Sequence, residues 1–499
     1  MSLFLQQLRR FLPEALALAS GALMVLGFAP FGWFAVAVLA FAGFNQSLID
    51  ASPRAGFWRG WLFGIGLFGV GVFWIRISLN QFGNLDAWLA YLLTALFIAL
   101  MALYSGVVGW LVRRLSFNLP LQNLSLHPPL QKGGRGDFIA PLLLLPGSYV
   151  LLEWIRGWLF TGFPWLNLGY TQLDGPLAGY APIGGIYSVS LLTAFTGGLL
   201  WGVLNWIGRQ RLIAASGIGA LLLGGLGLQH IEWTQAIGAP FRASVVQANI
   251  PQELKWTPEA EEQIVQAYLE LTREHFGSAL IVWPETALPA FLHDIRAPLL
   301  TPLAARAQSE GAEIVLGVPV LNTETGQYYN GLVSIGSGED LYTKRHLVPF
   351  GEFMPLHDWL TPLIDLFEIP MADFSRGDSA RPLLKVGAWQ VGVSICYEDV
   401  FANEVAQALP EAQFLINVSN DAWFGDSFAP HQHLQMARFR ALETGRFLLR
   451  ATNTGISAII DERGRVIADV PTFVRGGATA TVQPRQGATP FVRVMRWLN

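Results

Sequence analysis

Cys396 is the only cysteine in 499 residues. It closes the apolar run QVGVSICY (390–397) and is followed at once by Glu398 and Asp399. Carboxylates beside a thiol raise its pKa and make it a poorer nucleophile. A reactive Cys396 therefore needs a base for its proton and a cation for its charge, both from elsewhere in the chain. Glu285, closing SALIVWPE (278–285), and Lys344, in LYTKRHLVPFGE (341–352), have the right chemistry. A carboxylate at close range takes a thiol proton. A lysine in the same cleft lowers neighbouring acid pKa values, stabilises the thiolate, and stabilises the oxyanion formed when that thiolate attacks a carbonyl. The chemistry expected of the three together is acyl transfer through a thioester. Singly, each has a plainer reading: a small core hydrophobe, a capping carboxylate, a solvated charge.

The elements that must position these residues lie after about residue 242, where short strands alternate with amphipathic helices. ASVVQANI (243–250), SALIVWPE (278–285), AEIVLGVPV (312–320), NGLVSIG (330–336), QVGVSICY (390–397), AQFLINVSN (412–420) and GISAIID (455–461) read as strands. Segments 258–276, 296–309 and 431–446 read as helices. Strands apolar on both faces and separated by helices argue for a layered α/β domain with covered sheets. All three candidate residues then fall at strand ends, where sheet-anchored side chains reach a cleft.

WPETALP, KRHLVPFGE and SICYED resemble the Glu, Lys and Cys motifs of the nitrilase (carbon–nitrogen hydrolase) superfamily. That resemblance implies an αββα sandwich with Glu285 as general base, Lys344 as oxyanion and thiolate stabiliser, and Cys396 as nucleophile. GFPWLNLGYTQLDGPLAGYAPIGG, QANIPQELKW and NVSNDAWFGDSFAPHQHLQMARFRALETGR extend the likeness to the bacterial apolipoprotein N-acyltransferase family over nearly the whole chain. It further implies Glu352 as an additional essential glutamate orienting Lys344, Glu398 as another functional acid, and Tyr397 and Asn330 as neighbours of the active site. Trp256 matches an aromatic on a mobile loop at the cleft mouth. Trp256 and Trp423 are candidate substrate- or lipid-binding residues, against the alternative of ordinary packed or interfacial aromatics. The family's donor is a membrane phospholipid, typically phosphatidylethanolamine. Its acceptor is the α-amine of a diacylglyceryl-modified N-terminal cysteine on an apolipoprotein. No cofactor is implied.

The first half of the chain supplies the membrane context. Hydrophobic residues make up 52% of the chain and charged residues 14%, against roughly 25% charged in a typical soluble protein. Apolar runs at about 12–28, 30–48, 57–78, 87–111, 138–159, 180–207 and 212–229 approach the roughly 20 residues that a spanning helix needs. The fifth is the weakest, because Glu153 and Arg156 fall in its last turns. No small-residue cleavage site follows the first run, which reads as a retained span. Arg9, Arg10, Arg54, Arg59, Arg113, Arg114, Lys132, Arg135, Arg209 and Arg211 lie on one side, and only Arg76 and Arg156 on the other. Positively charged loops stay inside, so the N-terminus is expected in the cytoplasm and everything after 236 outside it. The family resemblance implies an inner-membrane protein with that part in the periplasm.

The expected organisation is a multi-domain membrane protein. An all-α transmembrane bundle of about seven spans (1–236) precedes an extracytoplasmic nitrilase-like domain (237–488). Residues 489–499 form a tail where the family's last span would begin. The Pro/Gly-rich stretch 116–138 reads as a flexible cytoplasmic insertion. Residues 160–185 read as an outer segment, with Trp165 and Tyr170 either interfacial anchors or part of a gate. The apolar stretch 355–371 reads as an arm dipping toward lipid.

A net charge of −4 carries no nucleic-acid footprint. His431 and His433 are two residues apart on a helix start and point to different faces, with no partner at a zinc-site spacing, so no metal is expected. A phosphate-binding Gly-rich loop, a G-x-S-x-G elbow and a zinc-protease helix are absent from the sequence. Two rivals to the acyltransferase reading remain at this point. One is a membrane-tethered amidase acting on small amides. The other is a transporter or sensor, which the scarcity of charge within the spans disfavours.

Overall fold

The computed structural model describes residues 2–118, 139–353 and 374–498. The stretch expected to form an arm (355–371) lies outside the described residues, as does almost all of the expected insertion at 116–138. The chain divides into two compact units, Met1–Arg76 with Asp86–Ile231, and Ile77–Leu85 with Glu232–Asn499.

The first unit is helical. Its main helices, Ser2–Met24, Phe34–Leu48, Pro53–Gly71, Ala87–Asn118, Leu145–Arg156, Ala181–Asn205 and Gly208–Leu228, occupy the seven apolar runs. Among the described residues three stretches are long and apolar enough to cross a membrane: Ala87–Ser116, Pro176–Asn205 and Gly208–Leu228. Pro53–Gly71 and Ile75–Phe82 pass that test together, bent by 56°. Phe11–Gly27 and Phe34–Leu48 are apolar but shorter. Length and composition thus support three or four crossings, fewer than the seven expected.

Small residues at four-residue spacing let two of these helices touch. A Cβ on Gly56 would sit 2.6 Å from the carbonyl oxygen of Gly109, and one on Gly64 would sit 2.6 Å from Cα of Ala102. In lipid, where helices lack a hydrophobic drive to associate, such close backbone approach adds van der Waals packing.

The two charges that weaken the fifth apolar run are turned inward. Arg156 donates to the carbonyl oxygens of Phe163 (2.8 Å) and Trp165 and to Asn167 Oδ1 (2.8 Å), while Glu153 Oε1 accepts from the backbone N–H of Leu168 at 2.6 Å. Trp165 and Tyr170 are each only 1% exposed. They are core residues of this unit, and the reading of them as interfacial anchors does not hold.

In the second unit, two six-stranded sheets are built from twelve strands, numbered here in chain order: Phe241–Gln247 (β1), Leu280–Val282 (β2), Glu313–Leu321 (β3), Tyr328–Ile335 (β4), Asp340–Thr343 (β5), Leu383–Val386 (β6), Trp389–Ile395 (β7), Leu415–Ser419 (β8), Leu448–Thr452 (β9), Ser457–Ile460 (β10), Val466–Val470 (β11) and Gly476–Val482 (β12). One sheet has the order β12-β1-β2-β3-β4-β5 and the other β11-β10-β9-β8-β7-β6. In each, two parallel pairings at the centre (β1–β2–β3 and β7–β8–β9) are flanked by antiparallel ones.

Alternation along the strands builds the layers. Val245, Leu280, Val282 and Val315 of the first sheet share a core with Val391, Val393, Ile395, Ile416, Val418 and Leu449 of the second. The intervening Val246, Ile281, Ile314 and Leu316 face the other way, onto Ile264, Tyr268 and Leu271 of helix Pro258–His275. Helix Ala429–Thr444 packs on the second sheet, completing four layers, α-β-β-α. The seven strands and three helices expected from the pattern all form within a few residues of their expected positions. The edge strands β5, β6, β11 and β12 are additional, as is the interior strand β9.

Candidate active site

Glu285, Lys344 and Cys396 each lie just beyond the C-terminal end of a strand, β2, β5 and β7 respectively. The turn carrying Glu285 crosses β3 at Gly317, where a Cβ would stand 2.5–2.6 Å from Pro284 O, Thr286 N and Glu285 Cα. Only glycine lets this turn lie so close. Antiparallel pairing of β4 with β5 matches Gly331 to Thr343, which brings Asn330 beside Lys344. The Lys344 N–H donates to the Asn330 carbonyl at 2.8 Å.

The polar side chains of this region converge. Glu285 Oε1 accepts from Asn330 Nδ2 at 2.6 Å and lies 3.7 Å from Lys344 Nζ. Lys344 Nζ donates to Glu352 Oε1 at 2.7 Å, and Asn330 Nδ2 also reaches that oxygen at 3.4 Å. Glu352 Oε2 in turn accepts from the backbone N–H of Val348 at 2.8 Å. Lys344 is fully buried. Although burial pulls its pKa down, the charges of Glu352, Glu285 and the Cys396 sulfur together raise it, so it is held as an ammonium ion.

Cys396 is partly buried and has φ of +52°, a left-handed conformation unusual for a non-glycine residue. Strain of this kind clusters at functional sites. Burial pushes the thiol pKa well above its ordinary value, Glu285 and Asp421 add to this, and Lys344 and a hydrogen bond with Ser419 oppose it.

The acids that follow Cys396 in sequence do not surround its sulfur with free charge. Glu398 is occupied by four donors: Tyr342 OH (2.9 Å), Arg345 N (2.6 Å) and His346 N (3.1 Å) on Oε1, and Ile395 N (2.8 Å) on Oε2. It ties the segment after Lys344 to the turn holding Cys396. Asp399 pairs with Arg450 and His433. Tyr397 is buried and packs edge-on against Phe401 and His346.

Trp256 is 56% exposed and Trp423 43%. Trp423 also rests against Phe82 (ring centroids 5.5 Å apart), and its carbonyl accepts from Ser78 Oγ at 2.7 Å. Both tryptophans are thus largely unpacked on one side, as a surface that meets apolar ligands needs.

Three residues here escaped sequence reasoning. Asn420 donates its backbone N–H to Glu285 Oε2 at 2.7 Å. Ser419 is hydrogen-bonded to Cys396 and donates to Asp421 Oδ1 at 2.7 Å. Lys255, beside Trp256, is buried with Nζ 3.4 Å from the Glu285 carbonyl oxygen. Burial lowers its pKa from 10.5 to about 8, against the opposing pull of Glu285. The LKW motif marked its place, but a lysine beside an exposed tryptophan reads as a solvated charge.

The arrangement can do proton transfer and oxyanion stabilisation beside a thiol. A carboxylate fixed by two donors, an ammonium between two carboxylates and a strained cysteine lie at the ends of facing sheets.

Comparison with known proteins adds to this geometry. A family model described as apolipoprotein N-acyltransferase N-terminal domain matches residues 20–199. One described as carbon-nitrogen hydrolase matches residues 242–490. Relatives matched over nearly the whole chain are named apolipoprotein N-acyltransferase. That of Methylococcus capsulatus is 44% identical over 482 residues, 97% of this chain and 92% of its own. That of Nitrosomonas europaea is 42% identical, covering 96% and 92%. That of Pseudomonas aeruginosa is 40% identical, covering 97% and 92%.

Proposed function

Because the chain belongs to the apolipoprotein N-acyltransferase family, we propose that it acylates lipoproteins through a thioester on Cys396, with a membrane phospholipid as donor. The activity class follows from membership. The residue roles, the donor and the intermediate are this proposal, and the observation that carries it is the Glu285–Lys344–Glu352–Asn330 cluster next to the strained Cys396.

Glu285 takes the thiol proton as the sulfur attacks the sn-ester carbonyl of a phospholipid such as phosphatidylethanolamine. Negative charge collects on the former carbonyl oxygen, and Lys344 stabilises it. Collapse breaks the ester C–O bond, Glu285 returns the proton to the leaving lysophospholipid alkoxide, and an acyl-thioester remains. In the second half, the free α-amine of a diacylglyceryl-cysteine attacks the thioester carbonyl. Glu285 accepts the ammonium proton, the C–S bond breaks, and the proton passes back to Cys396. Glu352 and Asn330 hold Lys344 and Glu285 in register through both halves, and Glu398 fixes the Cys396 turn. Tyr397 supports that turn by packing. Trp256 and Trp423 offer apolar surface to the acyl chains of either substrate.

The same reading places residues 1–236 in an inner membrane as seven crossings with the N-terminus inside, the shorter apolar helices included. Residues 237–488 form the periplasmic catalytic domain, and 489–499 continue from it as the helix Pro490–Leu498. The basic loops of the first half support this orientation.

Intact-mass analysis of the full-length protein incubated with defined phosphatidylethanolamine tests the proposal. A fatty-acyl mass increase is expected on the native protein and not on Cys396→Ala. Transfer of that mass to an added diacylglyceryl peptide should follow. A native protein that transfers acyl chains while staying unmodified would overturn the thioester.

A further inference from the structure

The HQH sequence at 431–433 has no part in the proton transfers above, yet His433 sits fully buried behind the Cys396 turn. Its Nε2 is 2.9 Å from Asp399 Oδ1, and its Nδ1 is 3.0 Å from Asp421 Oδ1. Arg450 closes the ring of charges, reaching Asp399 Oδ2 at 3.2 Å and Asp421 Oδ2 at 2.9 Å. All four side chains are essentially inaccessible to solvent. The four come from separate elements: the turn after Cys396, the segment after β8, helix Ala429–Thr444, and β9.

Two arrangements of Nδ1 compete, because Arg450 Nη2 also lies 2.8 Å from it. A neutral ring accepts there from the guanidinium. A cationic ring donates there to Asp421. The charge count favours the cation. Two carboxylates against Arg450 alone leave a buried net charge of −1, whereas an imidazolium makes the quartet neutral. Arg450 loses no partner in that arrangement, since Asp421 Oδ2 still accepts from Nη2. The charged groups facing the ring act in both directions. Burial and Arg450 push its pKa down, Asp399 and Asp421 push it up, and the net result is above the ordinary histidine value.

The quartet adjoins the sulfur. Asp399 is three residues from Cys396 in one turn. Asp421 shares the Ser419 hydroxyl with the thiol, and its charge raises the Cys396 pKa. We infer that His433 is a cationic positioning residue for Cys396, neutralising the Asp399–Asp421 pair so that a thiolate can form in front of it. This rests on the reading of Cys396 as the nucleophile. His433 touches neither substrate nor the reacting atoms and acts only through Asp399 and Asp421.

The test uses full-length protein and the rate of iodoacetamide alkylation against pH, which reports on Cys396 alone because no other cysteine exists. In His433→Gln the uncompensated carboxylate should slow alkylation about tenfold at a given pH below the thiol's midpoint. Asp421→Asn removes a negative charge and should speed it by a similar factor. Combining the two restores neutrality, so His433→Gln/Asp421→Asn should return to near the native profile. A purely architectural histidine predicts the opposite for the pair, with two lesions and no recovery.

An unchanged profile in His433→Gln, or a double variant no faster than the single, overturns the inference. Should His433→Gln alone fail to fold, the double variant is compared with Asp421→Asn. A double variant as fast as Asp421→Asn means that His433 carries no charge and refutes the inference, whereas a slower one supports it. An acyl adduct on native protein together with unresponsive variants would refute only this inference. A missing adduct on native protein would refute the thioester reading itself.

Discussion

The backbone N–H of Asn420, just past β8 of one sheet, donates at 2.7 Å to Oε2 of Glu285, just past β2 of the other. The carboxylate is thereby held by two donors on its two oxygens, Asn420 N on one and Asn330 Nδ2 on the other. It keeps its acceptor character without free rotation, which is what a base aimed at a single proton requires.

Glu285→Gln keeps the shape and removes the basicity. A glutamine must also turn its NH2 group toward one of those two donors, so one hydrogen bond is lost as well. Acyl-enzyme formation should slow by about 10²–10⁴-fold, the usual range for a positioned general base. Single-turnover mass spectrometry of the acylated protein measures it, and a loss under tenfold would remove Glu285 from the base role.

Glu398→Gln should cost stability before it costs chemistry. Glu398 accepts from four donors and gives none. The glutamine NH2 must face at least one N–H or O–H of that set. Leaving one buried donor unsatisfied costs about 1–3 kcal/mol. A lower melting midpoint in detergent, with slower acylation as the Cys396 turn loosens, is the expected result. An unshifted midpoint would mean that the clamp is dispensable.

The thiol should ionise late. Burial and the charge of Glu285 favour its neutral form, and Lys344 only partly offsets them. Alkylation of native protein should therefore be slow at neutral pH and still be rising above pH ~10, where an ordinary cysteine has levelled off. Lys344→Met removes a nearby cation that favours the thiolate and should slow alkylation at any fixed pH by about tenfold or more. A plateau near the ordinary cysteine midpoint would contradict the charge arrangement.

Lys255 should destabilise the fold near neutrality. Its pKa falls from 10.5 in the free side chain to about 8 on burial. Between those values the unfolded chain holds a proton that the folded one does not, so stability rises with pH across that window. Below it, folding carries the full burden of a buried ammonium ion, about 3 kcal/mol at ~1.4 kcal/mol per pKa unit. Lys255→Met should therefore be more stable than native at pH 7, with the advantage vanishing as pH approaches 10. Denaturation in detergent at both values checks this; equal stability at pH 7 would show that the ammonium is not penalised.

Strands whose residues alternate between two apolar layers were legible in the sequence, because both faces of a buried strand are written in Val, Ile and Leu. β1 to β4 and β7 were found in this way. The edge strands β5 and β11 were not: with one side open, Asp340–Thr343 and Val466–Val470 carry mixed, half-exposed residues. Glu285 and Cys396 were placed at strand ends because each closes an apolar run, whereas Lys344 follows the mixed strand β5 and was singled out by its KRHLVPFGE motif. Asn420 acts through its backbone, which no side-chain pattern announces. The acids beside Cys396 looked like neighbours of the thiol, yet sequence adjacency in a tight turn sends Glu398 toward the segment after Lys344 and Asp399 toward Arg450. Trp165 gave a membrane-surface signal by composition alone, and the inward-facing Arg156 gathers its segment into the core instead.

The two sheets also carry an order in time. Glu285, Asn330 and Lys344 belong to the sheet whose central strands emerge first from the ribosome, and Cys396 to the sheet made afterwards. The first sheet still lacks its outer neighbour until β12, which pairs with β1 along seven residues from Gly476 to Val482. During synthesis the base, the lysine and the thiol are therefore separate for most of the time that the chain is growing. A nascent chain that has just exposed its cysteine lacks the finished second sheet that brings Glu285 and Lys344 beside it, so the proposed site exists only once the domain is complete.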